Sequence, residues 1–212
     1  MSELATAKTF QFIGGNLGLD FCNTVGGKRG SIEREYLSSP LQYLAWCEQA
    51  GILNREQVEH SLARAGREPH EAAATVHQAI ELREAIFRIF KACSAGTKPA
   101  ATDMGILNQQ LSHALCRLRL CRTESVGVFR WKWFIDSDAL DQPLGPIAHA
   151  AASLLVDEHK LSHVRMCQGD TCGWLFIDSS KNHSRCWCDM RDCGNRAKIR
   201  RHRLKQRTQK VL

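Results

Sequence analysis

The tightest constraint on this chain is the cysteine pattern Cys167-x4-Cys172-x15-Cys188-x4-Cys193. Two close thiol pairs joined by a short stretch can converge only if the backbone bends twice. Zn²⁺ wants such a set, because four thiolates at about 2.3 Å complete its tetrahedron. Gln168-Gly169-Asp170-Thr171 and Asp189-Met190-Arg191-Asp192 are turn-forming spacers. A fifth cysteine, Cys186, lies two residues before Cys188. Taking Cys188 as the ligand gives both pairs four-residue spacers, which leaves Cys186 spare and a candidate redox thiol. The sequence thus predicts one structural zinc on Cys167, Cys172, Cys188 and Cys193.

The fifteen residues between the pairs read as a hairpin. Gly173–Ile177 is its first strand, Asp178–Ser184 a polar turn, and Arg185–Trp187 the return. The second pair hands over to a helix, with Cys193 in its first turn, where the helix dipole favours a thiolate. Knuckle, hairpin and helix in that order resemble a treble-clef zinc finger.

Charge is where composition matters. Residues 181–210 carry eleven Lys/Arg against Asp189 and Asp192, a net +9, while residues 1–180 sum to −2. Such a block faces a polyanion or solvates as a basic tail. On a helix, Arg196, Arg200, Arg203 and Arg207 share one stripe, and Lys198, His202 and Lys205 a second. Core packing cannot hold so polar a helix, so it lies on a polyanion or frays beyond about Arg201. Basic residues without interleaved aromatics favour duplex DNA over a single strand. Trp174 and Trp187 are read as packing the zinc mini-core.

The other 160 or so residues read as a mostly helical unit with a small β-hairpin, an α+β arrangement overall. Phe10–Thr24 is expected to form a short strand, a turn and a buried segment. Ser39-Pro-Leu-Gln42 and Asn54-Arg-Glu-Gln57 are capping boxes, with the helices after them stopped at Gly51 and Gly66. A long helix is expected from about Glu68 to Ser94, with Val76, Ile80, Arg83, Phe87 and Phe90 on one side. Thr102 is the expected cap of a helix through Ala114. Leu115–Arg122 and Val126–Ile135 alternate as a hairpin, and Pro143–Asp157 returns as a helix. The boundary is placed at His159–Ser162, giving parts 1–160 and 161–212.

Asp20, Asn23, Thr24 and Arg83 are polar groups among apolar neighbours. They form either a ligand pocket for a small effector or, as buried polar groups usually do, a satisfied core. Cys22, Cys47, Cys93, Cys116 and Cys121 are read as core thiols. No phosphate loop, nucleophile elbow or paired carboxylates support an enzyme. No apolar run approaches the ~20 residues of a membrane span, and Met1–Phe10 lacks an export pattern. The expectation is a cytoplasmic protein.

Two stretches carry a family resemblance. Cys167-x4-Cys172-Gly-Trp-Leu-Phe-Ile-Asp-Ser and Trp187-Cys188-x4-Cys193-Gly194-Asn195-Arg196-x-Lys198 resemble the CGNR zinc finger of bacteria. Gly14-Gly15, Leu19-Asp20-Phe21 with Asn23-Thr24, Trp46 with Gly51, and Leu82–Ile86 are similar to the ABATE domain that precedes it, a stress-induced transcription regulator domain. The resemblance implies a zinc-binding, DNA-binding regulator, and the helical N-terminal part is read as sensing a ligand or forming a homodimer. The basic helix is expected to contact DNA through Asn195, Arg196, Lys198, Arg200, Arg201, Arg203, Lys205 and Arg207. Family members usually carry a basic residue where Cys186 stands. The alternatives are a zinc-thiolate redox or stress sensor and an RNA-binding protein.

Overall fold

The structure, a computed structural model, describes residues 6–31, 33–136 and 138–209, without the side chains of residues 204, 205 and 207–209. Its axis is α4 (Pro69–Ser94), which starts with proline at the first helical position and stops at Gly96, whose φ of +68° suits glycine alone. Around it pack α1 (Leu17–Cys22), α2 (Pro40–Gln49), α3 (Arg55–Arg67), α5 (Ala101–Ala114) and α6 (Leu144–Val156). Leu19, Phe21, Trp46, Leu82, Ile86 and Phe90 fill the centre, all at most 1% exposed. Phe21 and Trp46 meet at 4.9 Å between ring centroids, a tilted contact favoured by their quadrupoles.

The α1–α6 crossing is unusually close. A Cβ on Gly18 would lie 2.8 Å from the Ala151 Cβ. Only a glycine against an alanine allows that approach.

The helix signals differ in detail from expectation. The Asn54 capping box is complete, with Asn54 and Gln57 exchanging hydrogen bonds at 2.8 and 2.9 Å. At Ser39 half the box forms: the hydroxyl accepts the Gln42 N–H at 3.3 Å. The Gln42 side chain instead accepts the Lys8 N–H at 3.0 Å. Gly66 does not end α3, which continues to Arg67. Thr102 is not a cap. It lies inside α5, which starts after Ala100 without a side-chain cap. Phe10–Ile13 forms no strand, because its polar groups are taken by other side chains, as where Phe10 N–H meets Gln49 at 2.9 Å.

Three antiparallel two-stranded ladders complete the chain: β1 (Val25–Gly26) with β2 (Arg34–Glu35), β3 (Leu118–Arg122) with β4 (Phe129–Trp133), and β5 (Val164–Met166) with β6 (Leu175–Ile177). The short α7 (Glu158–Leu161) precedes β5. Here the structure corrects the expected finger hairpin. β6 pairs backward with β5, upstream of Cys167, and residues 185–187 form no strand. The hairpin therefore flanks the first knuckle rather than joining the two pairs.

The β5–β6 ladder is a shared wall. Val164 and Leu175, 1% and 0% exposed, face the helical core, while Phe176, between Leu175 and Ile177, faces the cysteine cluster. Strand alternation places the two faces in two cores. Of the thiols read as core, Cys22 and Cys47 are buried, but Cys93 and Cys121 are half-buried and Cys116 is exposed. Hairpin and helix-end positions keep those three from the interior.

Candidate metal centre and the helix it anchors

Cys167, Cys172, Cys188 and Cys193 are all buried, and their sulfurs lie within 4.8 Å of one another. Cys172 Sγ and Cys188 Sγ are 3.7 Å apart, as are Cys188 Sγ and Cys193 Sγ. A tetrahedron with zinc–sulfur bonds of about 2.3 Å has edges of about 3.8 Å. The sulfurs thus fit one ion with four protein ligands and no open position.

The electrostatics point the same way. Hydrogen bonds from the Cys172 and Cys188 thiols, then from the Cys188 and Gly169 N–H groups, push Cys167 down to about 2. Cys172, sharing its proton with Cys167, is pushed up to about 12, and Cys188 is pushed up by Cys167 and Cys172. Cys167, Cys172 and Cys188 thus oppose one another's ionisation. A divalent cation is what allows four thiolates in one place.

The surroundings orient the sulfurs as second-sphere groups do. Gly169 and Cys188 N–H groups donate to Cys167 Sγ at 3.4 and 3.3 Å. A Cβ at Gly169 would meet Cys193 Sγ at 3.3 Å, so the knuckle needs its glycine. Phe176 and half-buried Trp187 close the mini-core. Trp174 donates its indole N–H to the Val25 carbonyl at 2.6 Å, packing as read.

Two residues important to the site are not singled out as site residues by the sequence, although Asp178 lies within the finger motif. Asp178 is 1% exposed and accepts from Ser180 N–H and Oγ–H and from Arg185 N–H at 2.9, 2.6 and 2.8 Å. Burial alone would raise its carboxyl, but these donors overrule that and hold it at about 2. Arg185 stacks on Phe176 at 4.5 Å and donates to the Trp187 and Cys188 carbonyls. Asp178 and Arg185 thereby fix the loop that delivers Cys188.

After Cys188 the chain makes a π-helical turn, Met190–Gly194, which runs directly into α8 (Asn195–Gln209). Each residue of the Cys-Gly-Asn-Arg run has a local task. Gly194 lets the Met190 sulfur approach to 3.0 Å of where a Cβ would stand. Asn195 donates its side-chain amide to the Arg191 carbonyl at 2.9 Å. Arg196 donates to Cys193 Sγ at 3.2 Å and pairs with Asp192 at 2.9 Å.

Two of the expected nucleic-acid cations are therefore already engaged: Arg196, and Arg200, which pairs with Asp170. Lys198, Arg201 and Arg203 are exposed, with no acidic partner among the described residues. In the stripe Arg196, Arg200, Arg203 and Arg207, acids of the finger itself take the first two arginines. The side chains of Lys205 and Arg207 lie outside the described residues. Cys186 is half-buried and donates to the Ser184 carbonyl at 3.4 Å instead of joining the sulfur cluster.

The polar groups of the N-terminal part do not converge on a pocket. Asp20 accepts the Gly14 N–H at 2.7 Å, and burial raises its carboxyl to about 6. Thr24 donates to the Phe21 carbonyl at 2.8 Å. Arg83 makes two 2.7 Å contacts with Glu35 and one of 2.8 Å with Glu84. Asn23 reads the Leu175 backbone with both ends of its amide, donating and accepting at 2.9 Å. It clamps β6 to the end of α1. A cavity of about 230 Å³ does lie between the Lys8–Gln11 segment, Tyr36 and the finger's Asp189, Asp192 and Arg196. Of the four residues, only Asn23 lines it, and its amide is already spent on Leu175.

Family comparison agrees with this anatomy. The model of the ABATE family, described as "putative stress-induced transcription regulator", matches residues 15–158. The model of the CGNR zinc finger matches residues 163–206. No curated protein matches the chain.

Proposed function

This chain belongs to the ABATE family and carries a CGNR zinc finger, and on that premise we propose that it is a zinc-dependent, duplex-DNA-binding transcriptional regulator. The zinc is structural, and neither family is an enzyme family. One observation carries the DNA reading. α8 follows directly on the π-helical turn that holds the candidate zinc ligand Cys193, and Lys198, Arg201 and Arg203 on it are exposed without acidic partners among the described residues. Zinc bound there fixes the helix direction, so these cations are presented to a phosphate backbone from a rigidly held helix. Arginine adds a planar fork suited to guanine edges.

The test is a salt titration of duplex-DNA affinity. Lys198→Gln/Arg201→Gln/Arg203→Gln should weaken binding and lower the slope of log K against log salt by up to about three, roughly 0.9 per lost phosphate contact. Zinc content should stay at one per chain. Unchanged affinity in the triple variant would refute the reading. Competition with structured RNA at matched salt separates DNA from RNA. Arg196 and Arg200 are unsuitable probes, because their loss also disturbs the finger.

A further inference from the structure

The β3–β4 ribbon is two-faced, and both faces are open. Pairing of Leu118 with Trp133, Leu120 with Trp131 and Arg122 with Phe129 puts these six side chains on one face. Arg119, Cys121, Arg130 and Lys132 take the other, with Phe134 beneath the Lys132 ammonium at 5.5 Å. The ribbon is rooted by Trp133, which packs edge-on to His149 at 5.6 Å. Beyond that root its apolar face is largely uncovered by the described residues: Leu120 is 59%, Phe129 57% and Trp131 62% exposed. Among the described residues, seven of eleven exposed large apolar side chains fall within residues 115–134. Exposed apolar surface so concentrated marks a contact surface.

We infer that this apolar face is a homodimer interface, in which the Leu120–Phe129–Trp131 faces of two copies pack against each other across a two-fold axis. Charge placement selects the occupant. A single-stranded nucleic acid needs its stacking aromatics and cations on the same side, but here Arg119, Arg130 and Lys132 lie opposite Phe129 and Trp131, with Phe134 the one aromatic on their side. Edge-to-edge pairing of two ribbons would set those cations beside one another, which is destabilising. Face-to-face packing buries the aromatics and leaves both basic faces outward. It is also self-complementary, as a two-fold interface must be.

The area is adequate. At 150–250 Å² per aromatic side chain, the exposed face offers roughly 400 Å² of apolar surface. With interfaces about 60% apolar, that implies roughly 700 Å² per copy, near the ~800 Å² of a standard interface. Tryptophan and phenylalanine at the centre, with Arg122 at the rim, match interface composition. The inference does not depend on what α8 binds, and its test contains no DNA.

The experiment is sedimentation equilibrium of the zinc-loaded full chain at micromolar to tens of micromolar concentration. Wild type should be dimeric. Phe129→Ser/Trp131→Ser should weaken association by at least about 100-fold with unchanged zinc content and circular dichroism. Arg130→Glu/Lys132→Glu, on the opposite face, should remain a dimer. If the serine variant misfolds, Leu120→Arg replaces it with the same expected loss. A monomeric wild type, or a dimer indifferent to the apolar-face changes, overturns the inference. So does a monomer that binds single-stranded nucleic acid through Trp131.

Discussion

At the scale of residues, a few side chains set the structure of the site. Asn23 is the clearest. Its amide satisfies both the N–H and the carbonyl of Leu175, a residue fully buried from the surface. Asn23→Ala leaves both unpaired and should cost about 2–4 kcal/mol, read as a lower urea midpoint of the zinc-loaded protein. Asp20 supplies a pH dependence. Burial raises its folded carboxyl to about 6, from an ordinary value of 3.8, so the folded state binds the proton more tightly. Stability from this group is complete below about pH 4 and is lost as pH rises through 6. Asparagine keeps the acceptor for Gly14 without ionising. The stability advantage of Asp20→Asn over wild type should therefore widen by about 1–2 kcal/mol between about pH 5 and pH 8, measured by urea unfolding at each pH.

At the scale of elements, close approach and alternation matter more than propensity. Gly18 was not singled out by pattern, yet α1 can reach α6 only because position 18 has no Cβ. Gly18→Ala meets Ala151 backbone at 3.0 Å and should cost about 1–3 kcal/mol by overpacking, seen as a lower melting temperature with zinc still bound. The long helix α4 and the β3–β4 hairpin were legible because their periods are strong and their ends carry turn residues. The finger hairpin was misassigned for a physical reason. Residues 173–177 read as a strand under any pairing, and the sequence does not state which neighbour supplies the ladder. Similarly, the arginine stripe of α8 was visible, but the acids that hold Arg196 and Arg200 sit on the adjacent turn and knuckle.

At the scale of the whole molecule, the finger and the helical part share a wall. Val164 and Leu175 belong to the helical core, while Phe176 belongs to the cysteine cluster. Removing the metal should therefore loosen both sides. Chelation is expected to lower hydrogen-exchange protection of α1, which Asn23 ties to β6, by at least about 10-fold. Protection of α1 unchanged by chelation would mean that the two parts fold independently. No described helix is long and apolar enough to cross a membrane. The family match changes between residues 158 and 163, while the packing runs across that point.

The sequence by itself determined the four-sulfur site, the long central helix, the hairpin and the basic block after Cys193. Each rests on local spacing, and local spacing is written directly in the chain. Tertiary structure alone decided what the polar residues of the N-terminal part do. Asp20, Asn23, Thr24 and Arg83 could line a pocket or satisfy a core. Their partners Gly14, Leu175, Phe21, Glu35 and Glu84 are mostly distant or set by backbone bends that spacing does not encode. It also decided which cations α8 leaves free, and that one face of the β3–β4 ribbon stays uncovered. A charge or an apolar side chain is visible in sequence, but whether something lies against it depends on how the chain returns.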